Sequence, residues 1–185
     1  MRLSSFNGSP PPGARELCRW AGTPRAAEEC RMGFKKTGYL DEIKWHAEEG
    51  QGFPADLPRE AAATHIGMFL VWAIRNKLAS KRHYDAKSAA AKRLAANAIT
   101  PGAYFREVCE EWLTEEDFSE PGHAFADAMY DEYLEEYGGM FADVDTYRAP
   151  DTWETSELVA EMLDALLTEW AEDAEPGAAP DRRGM

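Results

Sequence analysis

The sequence predicts an all-α protein that forms a single compact domain of about five main helices between irregular N- and C-terminal tails. Apolar residues recur at helical spacing along most of the chain, and no stretch shows the sustained alternation of a β-strand. Proline and capping residues mark several helix starts. The chain has 185 residues, of which 44% are hydrophobic, so it can bury one core of ordinary size.

The two ends of the chain differ in composition from the middle. Residues 1–36 contain three consecutive prolines and no sustained periodicity, and residues 174–185 are rich in proline, glycine and alanine. We therefore expect an irregular N-terminal extension, a helical domain over residues 37–173 and a disordered tail. The codons of Glu28-Glu29 form a purine run shortly before the Met32 codon, like a ribosome-binding site. Met32 is thus an alternative start that would leave the preceding residues outside the native product.

The first strong helical signal extends from Pro58 to about Ala79. Proline suits a first helical turn because its missing N–H has no partner there. Gly67 lies in mid-helix, where glycine costs about 1 kcal/mol relative to alanine. A glycine in such a position usually allows a neighbouring group to approach closely, and we expect Trp45 or Trp153 to pack against it. The segment is apolar on almost all sides, which predicts a central helix with an inward stripe of His65/Ile66, Phe69/Leu70, Ala73/Ile74 and Leu78.

Two shorter helices are predicted next. Residues 85–98 form a basic, alanine-rich segment of high helix propensity. Thr100-Pro101 is typical of a helix start, and Thr114 and Asp117 have the spacing of a capping box in the turn that follows. The second of these helices is expected to face inward through Tyr104, Phe105, Val108, Cys109 and Trp112.

Two longer helices are predicted in the C-terminal half. Pro121–Tyr137 is expected to form a helix that ends at Gly138-Gly139. Asp151 and Glu154 resemble a cap pair before a last helix that extends to about Asp173. The inward positions are Phe125, Met129 and Tyr133 in the first of these helices and Leu158, Met162, Ala165/Leu166 and Trp170 in the second.

The formal net charge of −14 is unevenly distributed. From Glu107 onward the chain has 24 acidic and 3 basic residues, a balance of −21, whereas residues 1–106 have 17 basic and 10 acidic residues, a balance of +7. A strongly acidic half disfavours nucleic acid and favours a basic protein partner. The simpler interpretation is solubility and neutralisation of the basic helices by the acidic ones within the molecule.

The sequence predicts a cytoplasmic protein without a membrane partner. Its longest apolar run, Ile66–Ile74, has nine residues, and a membrane span needs about 20. No apolar signal segment follows Arg2. The cysteines are too few for a disulfide framework, and their number is odd (Cys18, Cys30 and Cys109). Cys109 is expected to be a buried thiol. Phosphate-loop and serine-nucleophile motifs are absent, and no cofactor is expected.

His46 and His65 are the polar residues with the clearest functional potential. They flank a proline-punctuated turn, so packing of the two flanking segments would bring both rings together. With a carboxylate from Asp41, Glu42 or Glu48 they would supply a two-histidine, one-carboxylate metal site or a histidine–carboxylate base. The sequence has no H-E-x-x-H motif and no i,i+4 histidine pair. On these grounds we favour a structural lock, in which the rings hold helices together by hydrogen bonds, over a catalytic or metal-binding role.

The remaining two histidines carry weaker signals. His83 lies in a charged connection and is expected to be solvated, and His123 follows Gly122 at a helix start, where a local cap contact is expected.

An aromatic and acidic segment in the C-terminal half is a candidate binding surface. On an exposed face, tyrosine and acid together suit a basic protein partner. The alternative is a core stripe flanked by ordinary surface tyrosines. The candidate binding residues are Tyr130, Asp131, Glu132, Glu135, Glu136 and Tyr137.

Three motifs in residues 38–74 are the most specific local pattern: a W-H block preceded by acidic residues, an F-P-x-x-L-P linker and the helix "THIGMFLVW". They resemble an uncharacterised bacterial family, a domain of unknown function, with W-H and T-H-I-G-M-F motifs. The resemblance continues through "AITPGAYF", "GHAFADAMYDEY" and "DTWETSELV", and so covers about residues 37–170. The first block has Leu40-Asp41-Glu42 in place of the family's paired aspartate. Members of such families occur beside toxin–immunity genes, and the resemblance implies no activity.

Two functions of different classes follow from these observations. The favoured hypothesis is a small acidic helical interaction protein, most concretely an immunity-type inhibitor that binds a basic bacterial toxin or a similar partner. The alternative is a metal-assisted hydrolase that uses His46 and His65 with a nearby carboxylate such as Asp41. The sequence leaves the oligomeric state open, including that of a purely structural oligomer subunit.

Overall fold

The computed structural model describes residues 38–49 and 52–174. The expectations for the N-terminal extension, the Met32 start and the C-terminal tail concern residues outside this range. The described residues form five α-helices and two short strands. In chain order they are β1 (Tyr39–Glu42), α1 (Ala63–Arg75), α2 (Ala89–Ala95), α3 (Pro101–Cys109), β2 (Trp112–Thr114), α4 (Glu120–Met140) and α5 (Trp153–Ala174).

The prediction of a helical single domain with five main helices is confirmed, and a small sheet is added to it. β1 and β2 pair antiparallel, with Asp41 opposite Leu113. The strands have only four and three residues, too short for an alternation signal. α3 ends at Cys109 because the next two residues, Glu110 and Glu111, have positive φ values of 52° and 74°. Trp112, expected inside α3, is therefore on β2 and 40% exposed.

Helix α1 is the centre of the molecule, as its all-round apolar character predicts. Every residue from Ala63 to Ile74 is buried. The expected helix from Pro58 to Ala79 is shorter than predicted: a 3₁₀ turn, Arg59–Ala62, precedes α1. At the other end the amide of Leu78 donates to the carbonyl of Ala73 across 2.8 Å, and Lys77 has a φ of 62°. This left-handed residue ends the helix.

Gly67 allows α1 and α3 to touch through their backbones. A Cβ at this position would lie 2.4 Å from the carbonyl oxygen of Pro101 and 2.6 Å from the Cα of Gly102. The sequence correctly indicated a close neighbour at Gly67, but the neighbour is this backbone and not Trp45 or Trp153.

Asp151 caps a helix other than the one predicted. Its carboxylate accepts hydrogen bonds from the amide of Gly102 at 2.9 Å and from the hydroxyl of Thr100 at 2.6 Å. It therefore caps α3, whereas the hydroxyl of Thr152 accepts from the amide of Thr155 at the start of α5. The predicted capping box of Thr114 and Asp117 is present.

Helices α4 and α5 complete the core around α1. α4 continues through Gly138-Gly139 to Met140, so these glycines do not end it as expected. α5 faces inward through Val159, Leu163 and Leu166, while Leu158 is 52% exposed. Among the described residues, none of the helices has the length and apolarity that crossing a membrane requires.

Candidate functional site

Three polar residues meet in the core where β1 ends and α1 begins. Asp41 lies on β1, and His46 lies on a short π-helical turn, Trp45–Glu49, directly after that strand. His65 lies in the first turn of α1. All three are buried, and Asp41 is 0% exposed. The chain thus brings together the two histidines and the first of the three carboxylates that the sequence analysis selected.

Both imidazoles direct the same ring nitrogen at the carboxylate and at each other. Nε2 of His46 lies 2.7 Å from Oδ1 of Asp41, and Nε2 of His65 lies 3.4 Å from Oδ2. The two Nε2 atoms are 3.3 Å apart, with the rings nearly perpendicular at 82°. We call these three residues the Asp–His centre.

The electrostatics keep the carboxylate of this centre ionised. Burial alone would raise the pKa of Asp41, but attraction to His46 and hydrogen bonds from His46 and His65 hold that pKa well below its usual range. Burial and the neighbouring His46 lower the pKa of His65. The centre therefore combines a buried anion with a neutral imidazole at His65, a set of groups with lone pairs available for a cation.

Tyrosine side chains from α4 and the following loop surround the centre. The hydroxyl of Tyr130 donates to Oδ2 of Asp41 at 2.7 Å, and that of Tyr133 donates to the carbonyl of His65 at 2.7 Å. The hydroxyl of Tyr147 lies 3.0 Å from Nδ1 of His46. Such contacts fix ring orientation and tautomer in metal sites and in hydrogen-bonded histidine clusters alike.

The distances in the centre resemble those between ligands of a tetrahedral metal ion. Zn–N bonds of about 2.0–2.1 Å at tetrahedral angles place two nitrogen ligands roughly 3.3–3.4 Å apart. The His46–His65 and His65–Asp41 separations of 3.3 and 3.4 Å have this length. The His46–Asp41 separation of 2.7 Å is that of a hydrogen bond. The geometry therefore fits either a shared proton between these two residues or, after a small movement of one, a three-ligand metal site.

A pocket of about 410 Å³ adjoins the centre. Tyr147 connects the pocket to the centre, because it lines the pocket and contacts His46 through its hydroxyl. Thr64, which precedes His65 in α1, also lines the pocket. One layer of side chains therefore separates the pocket from the buried ligand atoms.

A second buried cluster was missed by the sequence analysis. His83, expected to be solvated, is buried: its Nε2 donates to Oδ1 of Asp117 at 3.0 Å, and its Nδ1 lies 3.0 Å from the hydroxyl of Tyr104. The predicted buried thiol of Cys109 lies 3.2 Å from the same Asp117 oxygen. Arg82 forms an ion pair with Asp117. Because the guanidinium already neutralises this carboxylate, we interpret the cluster as a structural lock.

The candidate binding surface is corrected in part. Tyr130 and Tyr137 are each only 1% exposed, because they lie on the α4 face that packs on α1, so they do not contribute to a surface. Glu132, Glu135 and Glu136 are exposed on the opposite side, and Asp131 is half-buried.

The prediction for His123 is also corrected. Ser119 caps α4 by accepting from the amide of Gly122, and His123 is partly exposed with Nε2 3.6 Å from a carboxylate oxygen of Glu115.

The fold and site define a small helical protein with a buried Asp–His centre beside a pocket. The chain belongs to the family described as "Domain of unknown function (DUF7832)", whose model matches residues 39–149. This range contains the whole centre and confirms the resemblance to a domain of unknown function. No curated protein and no solved structure shows a significant match to the chain.

Proposed function

We propose that the protein is a metal-dependent hydrolase whose metal ligands are Asp41, His46 and His65. The observation that carries this proposal is the convergence of two Nε2 atoms and a carboxylate within 3.4 Å of one another in the core. The proposal replaces the order of preference drawn from the sequence, in which an interaction protein came first.

A divalent cation explains the arrangement of the centre better than hydrogen bonds alone. A buried carboxylate is costly unless it is compensated by charge and hydrogen bonds. In the proton-bridged form, His46 donates from Nε2 to Asp41, and the Nε2 atom of His65 has only long contacts, 3.4 Å to that carboxylate and 3.3 Å to Nε2 of His46. A cation would use lone pairs of all three groups at once, and Tyr147 would accept a hydrogen bond from Nδ1 of His46.

Hydrolysis is the reaction class that this ligand set suits. Asp41, His46 and His65 would hold the ion and leave it open to water, and an ion such as zinc would lower the pKa of that water toward neutrality, so that it can act as the hydrolytic nucleophile. Burial raises the pKa of Tyr130 well above its usual value, and the Asp41 charge adds to this effect, so Tyr130 remains a hydrogen-bond donor to Asp41. Tyr147 separates the ligands from the adjoining pocket and is placed to control access to them.

Metal content tests the proposal. Protein purified without chelators or metal-affinity resin should contain close to one equivalent of zinc, manganese or iron by elemental analysis. His46→Ala and His65→Ala should each lose it, while His123→Ala, which changes a partly exposed histidine, should retain it. A folded wild-type protein that takes up no metal when zinc, manganese and iron(II) are each supplied in excess would contradict the proposal.

Two further measurements separate a metal centre from a structural lock. In ¹⁵N NMR spectra of metal-free protein, His46 should carry its proton on Nε2, and on metal addition the proton should move to Nδ1. Hydrolysis of a panel of p-nitrophenyl esters and phosphate esters should require the metal and should disappear in His65→Ala. If the centre is only a structural lock, the addition of metal should leave the His46 tautomer unchanged, and His65→Ala should fail to fold.

A second candidate function, the immunity-type inhibitor, is favoured by a different observation. Glu132, Glu135 and Glu136 form an exposed acidic face on α4, and an acidic face of this kind speeds encounter with a basic protein at low salt. We expect a basic partner, such as a toxin encoded beside this gene, to bind this face.

Pull-down from the native host tests this second function. Reversing the three charges to lysine should abolish capture of the partner, whereas reversing Glu161 and Glu169 on α5 should not. Capture that is unchanged by the first variant and insensitive to salt would exclude the acidic face as the binding surface.

A further inference from the structure

A cationic side chain that lines the pocket beside the Asp–His centre forms no ion pair with any of the described residues. Arg106 lines the pocket and forms no ion pair with any residue that the structure describes. Its Nε atom is buried and has no hydrogen-bond partner in the same part of the chain. A buried donor left without an acceptor costs about 1–3 kcal/mol, so an acceptor from outside the chain would stabilise this arrangement.

A second donor without a partner lies nearby. The hydroxyl of Tyr137 is buried and has no hydrogen-bond partner among residues 38–49 and 52–174. Its ring lies 5.8 Å from the ring of His65, and burial together with the charge of Asp151, a pocket-lining residue, raises the pKa of Tyr137. The hydroxyl therefore stays protonated, beside His65 of the centre and behind the side chains that line the pocket.

The other charged groups of the pocket are already engaged or exposed. The carboxylate of Asp151 accepts from Gly102 and Thr100 at the start of α3. Arg148 is exposed and pairs with Asp56 at 2.7 Å, and Glu60 is exposed to solvent. Arg106 is thus the charged group of this pocket that remains available to a ligand.

We infer that this pocket binds an oxyanionic group, a carboxylate or a phosphate, of the molecule on which the centre acts, through Arg106 in its lining and the buried hydroxyl of Tyr137 behind that lining. The inference rests on the proposed function for its link to catalysis. A guanidinium and a hydroxyl are matched to oxyanions, since charge-assisted hydrogen bonds to carboxylate or phosphate are about twice as strong as neutral ones. Tyr147 would then lie between the bound anion and His46, so that the rest of the substrate extends toward the metal ligands.

NMR of the Arg106 side chain tests the inference in full-length, metal-free protein. Inorganic phosphate and acetate are titrated separately while the Nε–H signal of Arg106 is followed, with acetamide as the neutral counterpart of acetate. We expect a saturable shift with phosphate or with acetate, and the stronger of the two identifies the substrate as a phosphate or a carboxylate. Absence of a saturable shift with both anions, or an equal response to acetamide, would overturn the inference.

Matched variants separate binding from folding. Tyr137→Phe removes a hydroxyl that has no partner, so thermal stability without anion should not fall, while anion affinity should drop about tenfold. Arg106→Gln should lose at least as much affinity, and Arg93→Gln, which changes an exposed arginine paired with Glu107, should lose none. Wild-type affinity in both Tyr137→Phe and Arg106→Gln would overturn the assignment.

The same experiments distinguish the two proposals. Because anion binding is measured without metal, a protein that binds phosphate or acetate but no metal supports the anion site and contradicts the hydrolase. A protein that takes up metal through His46 and His65 but binds neither anion supports the hydrolase and overturns the anion site.

Discussion

Asp117 shows how a single carboxylate can hold together parts of the chain that are distant in sequence. It accepts hydrogen bonds from the amide and hydroxyl of Thr114, from Nε2 of His83 and from Arg82. Burial would raise its pKa, but the hydrogen bonds from His83 and Thr114 and the charge of Arg82 bring the pKa down from 3.8 to about 2. Folding therefore favours the ionised form of Asp117.

We expect Asp117→Asn to destabilise the protein and to change its response to acid. A folded-state pKa below the unfolded value contributes stability that is complete above the unfolded value and is lost as pH falls through the folded pKa. The free energy of unfolding at pH 7 should fall by roughly 2 kcal/mol or more in the variant. Urea unfolding at pH 7 and at pH 3 should show a smaller difference between wild type and variant at the lower pH. Asp127→Asn, on an exposed part of α4, is the control and should change little.

Cys109 should be chemically inert in the folded protein. Burial and the adjacent Asp117 raise the pKa of its thiol far above the usual value, and the reactive form is the thiolate. In a Cys18→Ser, Cys30→Ser background, iodoacetamide should label Cys109 only after denaturation. Labelling of the native protein at the rate of an unfolded control would show that the cluster opens readily.

The two buried clusters differ in how far the sequence predicts them. His46, His65 and Asp41 lie within 25 residues around one proline-containing turn, so their proximity follows from the packing of neighbouring segments. His83 is surrounded by lysine and arginine, which predicts solvation. Its partner Asp117 comes from 34 residues further along the chain. Only the tertiary structure shows that Arg82 and Asp117 compensate each other and allow His83 to be buried.

At the scale of secondary-structure elements, the contact between α1 and α3 depends on Gly67. We expect Gly67→Ala to destabilise the protein by several kcal/mol, because its Cβ would overlap the backbone of Pro101 and Gly102 and force the helices apart. Gly139→Ala is the matched control: nothing lies within 4 Å of a Cβ there, so alanine should stabilise α4 by up to about 1 kcal/mol. Thermal unfolding of both variants tests these expectations. Similar unfolding midpoints for the two variants would contradict the close approach of α1 and α3 at Gly67.

The same element scale explains why the predicted end of α4 was wrong. Gly138-Gly139 has the composition of a helix stop, but Tyr137 is buried and its ring lies 4.8 Å from that of Phe141 beyond the glycines. Packing of these aromatic rings stabilises the last turn, which outweighs the low helix propensity of glycine. By contrast, α3 and α4 start where expected, because Pro101 and Pro121 occupy first-turn positions, where the missing N–H of proline costs nothing.

At the scale of the whole molecule, the basic first half and the acidic second half are joined by ion pairs. Arg59 pairs with Glu111, Arg75 with Glu157, and Arg93 with Glu107. These side chains are all at least one-third exposed, so each pair contributes at most about 1 kcal/mol. Neutralisation by these three pairs is therefore weak, and Glu132, Glu135 and Glu136 are exposed on α4, as the second candidate function requires.

The hydrophobic core of the described residues extends from Leu40 to Leu166, and the Asp–His centre lies inside it. We therefore expect Leu40→Ala to lower the unfolding temperature of the full-length protein, because Leu40 on β1 is only 2% exposed and belongs to this core. Leu158→Ala, at a leucine of α5 that is 52% exposed, is the matched control and should change that temperature little. Scanning calorimetry of the two variants checks this. Equal unfolding temperatures for the two variants would contradict the extension of the core to β1.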